Sequence, residues 1–159
     1  MKVFSNALLD RLSQDANSAS RARMNLNLHE HFEDPCQRLF NAIGLNSYIQ
    51  PHRHLLDPKI ETLIALRGMF ALITFDNEGK VMDIVKFGSE KHLEIDGVGV
   101  EVPSNVWHTV VALIDGSLLF EVKEGPFDPT RAKEFALWAP IEGSSDVSAY
   151  LSKLRSRVL

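Results

Sequence analysis

Two histidines separated by a single residue are the first feature of this sequence whose types and spacing could do chemistry. His52 and His54 occur in the stretch "PHRHLLDPKIETLIALRG", residues 51–68. In an extended strand, side chains two residues apart share a face at a spacing of about 6.6 Å. Two imidazoles on one face can bind the same metal ion at about 2.1 Å each. Tyr48 and Gln50 have the same parity, which predicts a polar pocket floor on that face.

Two further donors follow this histidine pair. Glu61 begins the next strand-like run, which ends at Gly68. His108 follows the turn "PSN" at residues 103–105 and lies at the start of another predicted strand. Together the four side chains offer three nitrogens and one oxygen, a donor set that suits Mn, Fe, Co, Ni or Zn. The sequence therefore predicts one divalent transition metal ion bound by these four residues, without identifying the element.

Three of these four donors also have an alternative interpretation. His52 and His54 could be solvated histidines of an edge strand, which the preceding Pro51 favours. Glu61 taken alone could be a solvent-facing strand residue, and Asp57 is a weaker substitute for it as the carboxylate ligand. No other set of histidines and carboxylates in the sequence has the combined spacing of the four donors, and this favours the metal site.

A second pair of the same form, His29 and His31, lacks a carboxylate and a glycine at matching distances. We therefore predict that these two histidines are surface or pocket-rim residues. Arg23, Asn25 and Asn27 precede them and alternate with apolar residues, as in a strand. Their polar side could meet a ligand or face the solvent.

Several polar residues near the histidines are candidates for handling a substrate. Tyr48 and His29 are the candidate acid or base residues. The candidate substrate-binding residues are Tyr48, Gln50, Arg23 and Asn27.

Three other polar positions receive simpler interpretations. Glu121 and Lys123 share one face of a predicted strand, and we predict that they pair with each other at the surface. Cys36 and His92 are interpreted as structural or surface residues. Because Cys36 is the only cysteine, no intramolecular disulfide can form, which suits a reducing compartment.

The elements that must position these residues are mainly strands. Between residues 45 and 123 the sequence has short runs of β-branched and aromatic residues, broken by turns such as "DNEG", "GS" and "DG". Seven or eight strands in such a length predict a sandwich or barrel, with its core over residues 44–125.

Helices are predicted at both ends of the chain and once before the strands. Apolar residues recur at helical spacing over residues 4–14, and the polar, small residues 15–20 read as a linker. The pair Asp34-Pro35 predicts the start of a second helix that ends at Gly44. The C-terminal helix is predicted over residues 144–158.

Composition limits the classes of protein to consider. The chain has 159 residues, which fits one domain, and its net charge of −4 comes with no basic stripe, so a nucleic-acid partner is not expected. No apolar run approaches the roughly 20 residues that span a bilayer, so no membrane partner is expected. The N-terminus has no long apolar core of a secretory signal. We therefore expect a single cytoplasmic domain.

The spacing of the donors resembles the two motifs of the cupin superfamily. The step from Glu61 to Gly68 matches the first motif, and the step from Gly97 to Pro103 matches the second. The departures are a longer step from His54 to Glu61, Asn105 in place of Gly, Ala112 in place of Asn, and a first glycine, Gly44, slightly too far upstream. The resemblance implies a jelly-roll barrel, the cupin double-stranded β-helix, with the four donors as its metal ligands.

Three longer stretches are similar to the WbuC-type cupin-fold metalloproteins, which occur with bacterial O-antigen polysaccharide genes. These are "RMNLNLHEHFEDPCQRLFNAIGLNSYIQPHRH", "VEVPSNVWHTVVAL" and "LFEVKEGPFDP", and the similarity covers about residues 20–140. It implies a metal-bound barrel and no established reaction.

Two functions from different classes follow from this resemblance. The first is a metal-dependent enzyme acting on a small polar substrate, such as a sugar or nucleotide sugar. The second is a non-catalytic, metal-dependent ligand-binding or sensing cupin, for which a closed site would be expected. An iron-dependent dioxygenase is a third, weaker alternative. We also predict a homodimer, because the apolar N-terminal segment has no groove of its own and strand edges need covering.

Overall fold

Ten strands and two helices make up the described part of the chain, which in this computed structural model comprises residues 1–89 and 94–158. His92 lies outside these residues. In chain order the elements are α1 Asn6–Ser18, β1 Arg23–Asn27, β2 Cys36–Ile43, β3 His52–Arg53, β4 Glu61–Arg67, β5 Met69–Phe75, β6 Val81–Gly88, β7 Gly99–Val102, β8 Trp107–Ala112, β9 Leu118–Glu124, β10 Glu134–Phe135 and α2 Val147–Arg155.

The strands form two antiparallel sheets of five strands. The first sheet has the order β1-β2-β9-β4-β7, and the second has the order β10-β3-β8-β5-β6. Most neighbours within a sheet are distant in sequence, as in a jelly roll. The predicted mainly β fold with short helices at both ends is therefore confirmed.

The core lies between the two sheets and explains why these runs form strands. In β4 every second residue is buried, so that Glu61, Leu63 and Ala65 point inward. Leu63 packs in one cluster with Phe70 and Phe87 of the second sheet, which are both fully buried. Burying side chains of this size contributes about 1.5–3 kcal/mol each.

A glycine closes the hairpin between β4 and β5. Gly68 has a φ of +72°, and a Cβ at this position would lie 2.2 Å from the hydroxyl oxygen of Ser117. Only glycine fits this backbone without strain. The predicted hairpin after the run that begins at Glu61 is thus present.

The two helices cover the outer faces of the two sheets. Leu9, Leu12 and Ala16 of α1 pack against Phe40 and Leu118 of the first sheet. The α1 helix continues to Ser18, through most of the predicted linker at 15–20, because Ala16 is buried there. The helix α2 packs on the second sheet through its apolar side chains, including Leu151 and Leu154.

The helix predicted from Pro35 to Gly44 is wrong, because this segment is the strand β2. It pairs with β1 on one side and with β9 on the other. Phe40 and Ala42 face α1 while Ile43 faces the core, so both sides of the strand are buried. Burial on both faces removes the alternation that marks a strand and leaves a spacing that looks helical. Strands therefore begin before the predicted range of 44–125.

No helix among the described residues is long and apolar enough to cross a membrane.

Candidate metal centre

The four predicted donors meet inside the sandwich, at one end of both sheets. His52 begins β3 and lies directly opposite His108 of β8 in the antiparallel ladder. His54 follows β3, and Glu61 begins β4 in the first sheet. The centre therefore takes three nitrogens from the second sheet and its edge, and one carboxylate from the first.

The donor atoms are close enough to hold a single ion. One ligand atom from each of the four side chains lies within 4.8 Å of all the others. Each side chain is at most 4% exposed, so the alternatives of solvated edge histidines and of a solvent-facing Glu61 are wrong. His54 Nε2 lies 3.0 Å from Glu61 Oε1, and His108 Nε2 lies 3.5 Å from Glu61 Oε2. Such a buried group of neutral and anionic donors could bind a metal.

Backbone carbonyls fix the orientation of all three imidazole rings. The Nδ1 of His52 donates to the carbonyl of Gln50 at 3.0 Å, and the Nδ1 of His108 donates to that of Val106 at 2.8 Å. The Nδ1 of His54 donates to the carbonyl of Ala132. Because a carbonyl only accepts, each Nδ1 carries the hydrogen and each Nε2 keeps a free lone pair. This arrangement is typical of histidines that bind metals.

One of these lone pairs has no partner. His54 Nε2 is buried, and among the described residues it forms no hydrogen bond of acceptable geometry, although Glu61 Oε1 is near. Leaving a buried polar atom unpaired costs about 1–3 kcal/mol. A cation placed between this nitrogen and the carboxylate would satisfy both, so the residues fit a metal ion.

The protonation states of Glu61 and His52 also suit a metal. Burial opposes ionisation of Glu61, but its contacts with the rings of His108 and His54 and with the ammonium of Lys123 outweigh this effect and hold its pKa well below the usual value. Burial, assisted by the nearby charge of Lys133, holds the pKa of His52 well below its usual value. An ionised carboxylate and a neutral imidazole are the forms that bind metals.

A buried lysine beside Glu61 was not predicted. Lys123 of β9 lies opposite Glu61 of β4 in the ladder, is 7% exposed, and forms an ion pair with Glu61 Oε1. The predicted surface pair of Glu121 and Lys123 is therefore wrong, because both side chains face the space between the sheets. The parity of Leu119, Glu121 and Lys123 in β9 is the signal in the sequence that could have placed them there.

A large cavity adjoins the metal centre. Its volume is about 540 Å³, which is the size of a small-molecule site. Its walls are Ala19, Ser20, Arg21, Arg23, Met24, Asn25, Asn27, His29, Phe32, Gln37, Leu39, Asn41, Ile49, Glu121, Lys123, Phe127 and Lys133. A smaller cavity of about 40 Å³ contains His52, Glu61 and His108 in its wall. Asn41, Ile49, Glu121 and Lys133 line both cavities, so the two spaces lie side by side at these residues, which we call the junction.

Three of the predicted ligand-handling residues lie in the wall of the large cavity: Arg23, Asn27 and His29. The guanidinium of Arg23 is already bound, because it donates to the carbonyl of Tyr48 at 2.7 Å and pairs with Glu142 at 2.7 Å. His29 is held at Nδ1 by the backbone of residue 38 and is not among the four metal donors. The predicted polar side of the first strand thus lines the cavity, and Asn25 and Asn27 are also exposed to solvent.

Tyr48 and Gln50 are not in the described wall of either cavity, which corrects their predicted roles. The hydroxyl of Tyr48 donates to the carbonyl of Pro140 at 2.8 Å, and the amide of Gln50 donates to the carbonyl of Ala136 at 3.2 Å. The parity argument fails because no strand forms before His52, and Ile49 lines the cavities instead.

The remaining candidates also lie away from the donors. Asp57 pairs with Lys59 at 3.0 Å and is not part of the group that could hold an ion. His31 and Cys36 are not buried, and neither belongs to that group.

Residues 4–87 match the model of a family described as a domain of unknown function, DUF6016. This match covers more than half of the 159 residues. The chain belongs to the DUF6016 family. The matched region contains His52, His54 and Glu61 but stops before His108. A comparison of this DUF6016 protein with curated proteins found no significant match.

Solved structures show which fold this DUF6016 protein has. A cupin-2 domain, Rru_A2000 from Rhodospirillum rubrum, is similar with a TM-score of 0.53 and 18% identity, over 86% of this chain and 83% of that chain. The protein SO0799 from Shewanella oneidensis is similar with a TM-score of 0.55 and 11% identity, over 74% and 75%. The capsular polysaccharide assembling protein CapF from Staphylococcus aureus is similar with a TM-score of 0.50 and 15% identity, over 70% of this chain and 32% of CapF. The fold is therefore the cupin jelly roll.

Proposed function

We propose that this protein binds one divalent transition metal ion through His52, His54, Glu61 and His108, and acts as a metal-dependent enzyme on a small polar molecule held in the large cavity. The observation that supports this most is the junction. An ion among the four donors would adjoin a space of about 540 Å³, as a catalytic metal with an open position requires. The ion could be Zn, Fe, Mn, Ni or Co.

Each part of the chain has a distinct task in this proposal. When bound, the ion supplies Lewis acidity to an oxygen of the substrate. The carbonyls at Nδ1 keep the three imidazoles aimed at one point. The apolar core below the centre, including Leu63 and Val110, excludes water from one side. The amides of Asn25, Asn27 and Asn41 in the cavity wall can bind hydroxyl groups.

The substrate in this proposal is a sugar or a nucleotide sugar used in bacterial O-antigen or other surface polysaccharide synthesis. The similarity of three stretches to the WbuC-type cupins and the amide-lined cavity support this class. The name of CapF, a capsular polysaccharide assembling protein, points the same way. We propose a cytoplasmic enzyme, because these activated sugars occur there.

Elemental analysis of the protein and of three variants tests the metal site. We expect about one transition metal ion per chain in the wild type, a sharp loss in His54→Ala and His108→Ala, and no loss in His29→Ala. His29 is a suitable control because it lies in the cavity wall but outside the donor group. Circular dichroism should show that all variants remain folded. Retention of metal in His108→Ala together with its loss in His29→Ala would place the site elsewhere.

A screen of sugars, sugar phosphates and nucleotide sugars with the metal-containing protein then tests the activity. Turnover that is lost in His108→Ala supports the enzyme. Binding without turnover favours the ligand-binding or sensing cupin instead, and consumption of oxygen favours the dioxygenase.

A further inference from the structure

The large cavity has cationic walls although the whole chain is acidic. The net charge of the protein is −4. Four cationic side chains line the cavity in the described structure, and Glu121 is the only acidic one there. The cationic side chains are Arg21, Arg23, Lys123 and Lys133.

The two arginines already have an anionic partner. Glu142 lies 3.3 Å from Arg21 and 2.7 Å from Arg23. Their charges are therefore partly neutralised within the protein, at the end of the cavity formed by the N-terminal residues of β1. The two lysines differ from them in position and in partners.

Lys133 stands at the junction without a partner. It lines both cavities, and among the described residues its ammonium forms no ion pair and no side-chain hydrogen bond. Its backbone position is fixed next to the metal centre, because the carbonyl of the preceding Ala132 holds His54. An anion at the junction could pair with this ammonium.

Lys123 has an anionic partner only while the carboxylate of Glu61 is not bound to a metal ion. Its ammonium pairs with Glu61 Oε1, and the same side chain also lines the large cavity. A divalent ion bound to Glu61 would take over that carboxylate and repel the ammonium. Lys123 then needs a second anion, and the large cavity is the space open to it.

Glu121 at the junction does not cancel these charges. In the described structure it forms no ion pair, and it is the single carboxylate that lines both cavities at the junction. One carboxylate therefore stands against the two ammonium groups of Lys123 and Lys133 in the wall of the large cavity.

We propose that Lys123 and Lys133 form an anion-binding site at the junction, so that the ligand of the large cavity is an acidic, hydroxyl-bearing small molecule. Its carboxylate or phosphate group pairs with the two ammonium groups, and its hydroxyls meet the amides of Asn25, Asn27 and Asn41. This inference rests on the proposed metal site, because the ion is what separates Lys123 from Glu61. It narrows the substrate to the sugar acids and sugar phosphates.

Calorimetric titration of the metal-containing protein tests this site with matched probes. Glucuronate and glucose 6-phosphate carry the two kinds of acidic group, glucose carries neither, and inorganic phosphate carries no hydroxyl-bearing ring. We expect either acidic sugar to bind at least about ten-fold more tightly than glucose, since hydrogen bonds to charged groups are the strong ones. Whichever of the two acidic sugars binds more tightly shows whether the site prefers a carboxylate or a phosphate group. Equal binding of glucose and both acidic sugars would overturn the inference.

Variants separate the lysine site from simple coordination of the anion to the ion. Lys133→Gln should weaken binding of the acidic sugar about ten-fold or more, while Lys133→Arg keeps the charge and most of the affinity. Lys80→Gln, at an exposed turn, is the matched control and should have no effect. If His108→Ala abolishes binding while Lys133→Gln and Lys123→Gln leave it unchanged, the ion alone binds the anion and the inference is wrong.

Metal content measured on the same samples distinguishes the two proposals. Loss of anion affinity in Lys133→Gln with about one ion per chain retained supports the anion site. A protein that contains one ion per chain but binds no acidic probe refutes the anion site and leaves the proposed metal function intact. A wild type without metal refutes the proposed function itself.

Discussion

The carboxylate of Glu61 can pair with either of two cations, the ammonium of Lys123 or the proposed metal ion. The ammonium of Lys123 pairs with a carboxylate that is 4% exposed. Burying a carboxylate without a cationic partner is costly. Removing one member of a buried ion pair is therefore strongly destabilising. The lysine therefore stabilises the protein without metal and competes with the ion for the same oxygen.

Replacing Lys123 by methionine should separate these two effects. We expect Lys123→Met to lower the free energy of unfolding of the chelator-treated protein by about 2 kcal/mol or more. The stabilisation gained on adding metal should be larger than in the wild type, because the ion no longer displaces an ammonium. Chemical denaturation with and without metal measures both quantities.

Lys80→Met, at an exposed turn, is the control for this experiment. A chelator-treated Lys123→Met protein as stable as the wild type would show that Glu61 does not depend on the ammonium.

Glu121 should make stability depend on pH. Its pKa in the folded protein is raised from 4.5 to about 7, first by burial and then by Glu61. The folded state thus retains a proton that the unfolded chain loses, and this contribution is full at low pH and is lost as pH rises through about 7. Glu121→Gln cannot ionise. The change in the free energy of unfolding caused by this substitution should therefore be more favourable at pH 8.5 than at pH 5. We expect the two changes to differ by about 2 kcal/mol, a figure lowered to allow for the partial exposure of Glu121.

Denaturation of the chelator-treated proteins at the two pH values measures this difference. Glu124→Gln, at an exposed position of the same strand, is the matched control. A difference between Glu121→Gln and wild type that is equal at pH 5 and pH 8.5 would contradict the raised pKa.

At this scale the sequence was sufficient to predict that the side chains of His52, His54, Glu61 and His108 lie together, and insufficient to predict their surroundings. His52 and His54 could be placed because parity within one segment is local information. The contact of Lys123 with Glu61 depends on which strand lies beside β4, and β9 is distant in sequence. Tyr48 was misplaced because its parity was counted along a strand that does not form.

At the scale of elements, α1 and the metal centre lie on opposite sides of the first sheet. The apolar side of α1 packs on the outer face through Leu12 and its neighbours, while Glu61 and Lys123 project from the inner face. Stability contributed by the helix should therefore be independent of metal binding.

Leu12→Ala tests this separation. Leu12 is 6% exposed, and removing a buried leucine side chain typically costs about 2–5 kcal/mol. We expect that loss in the free energy of unfolding together with unchanged metal content. Arg11→Ala, on the exposed side of α1, should change neither. Loss of metal from folded Leu12→Ala would show that the helix supports the centre through the sheet.

The helix α1, with one buried face, was predicted correctly, whereas the strand β2, with two, was not. The helix α1 has apolar residues on one side only, so its periodicity was visible, although its end was placed too early. The strand β2 is buried by α1 on one face and by the core on the other. Only its neighbours decide that it is extended, and the pair Asp34-Pro35 favoured the wrong element.

At the scale of the whole molecule, we propose a homodimer in solution. Several large apolar side chains are exposed in the single chain, among them Leu137 at 99% and Ile141 at 73%. Association would remove such surface from water. One chain has a mass of 17.8 kDa, and light scattering at high micromolar concentration should give twice this mass. A mass of one chain at that concentration would contradict the proposal.

The segment that follows β9 has a further consequence, for rates rather than for affinity. Within residues 125–141, the carbonyl of Ala132 holds His54, and Ala136 bonds to both Gln50 and Pro51. These contacts can open together with the edge strand β10 while the other strands of both sheets stay folded, because local segments open at a lower free energy than the whole protein. His54 would then turn freely, and a bound ion would lose one of its four ligands. The residence time of the ion should therefore follow the opening of this segment and not the far slower unfolding of the sandwich.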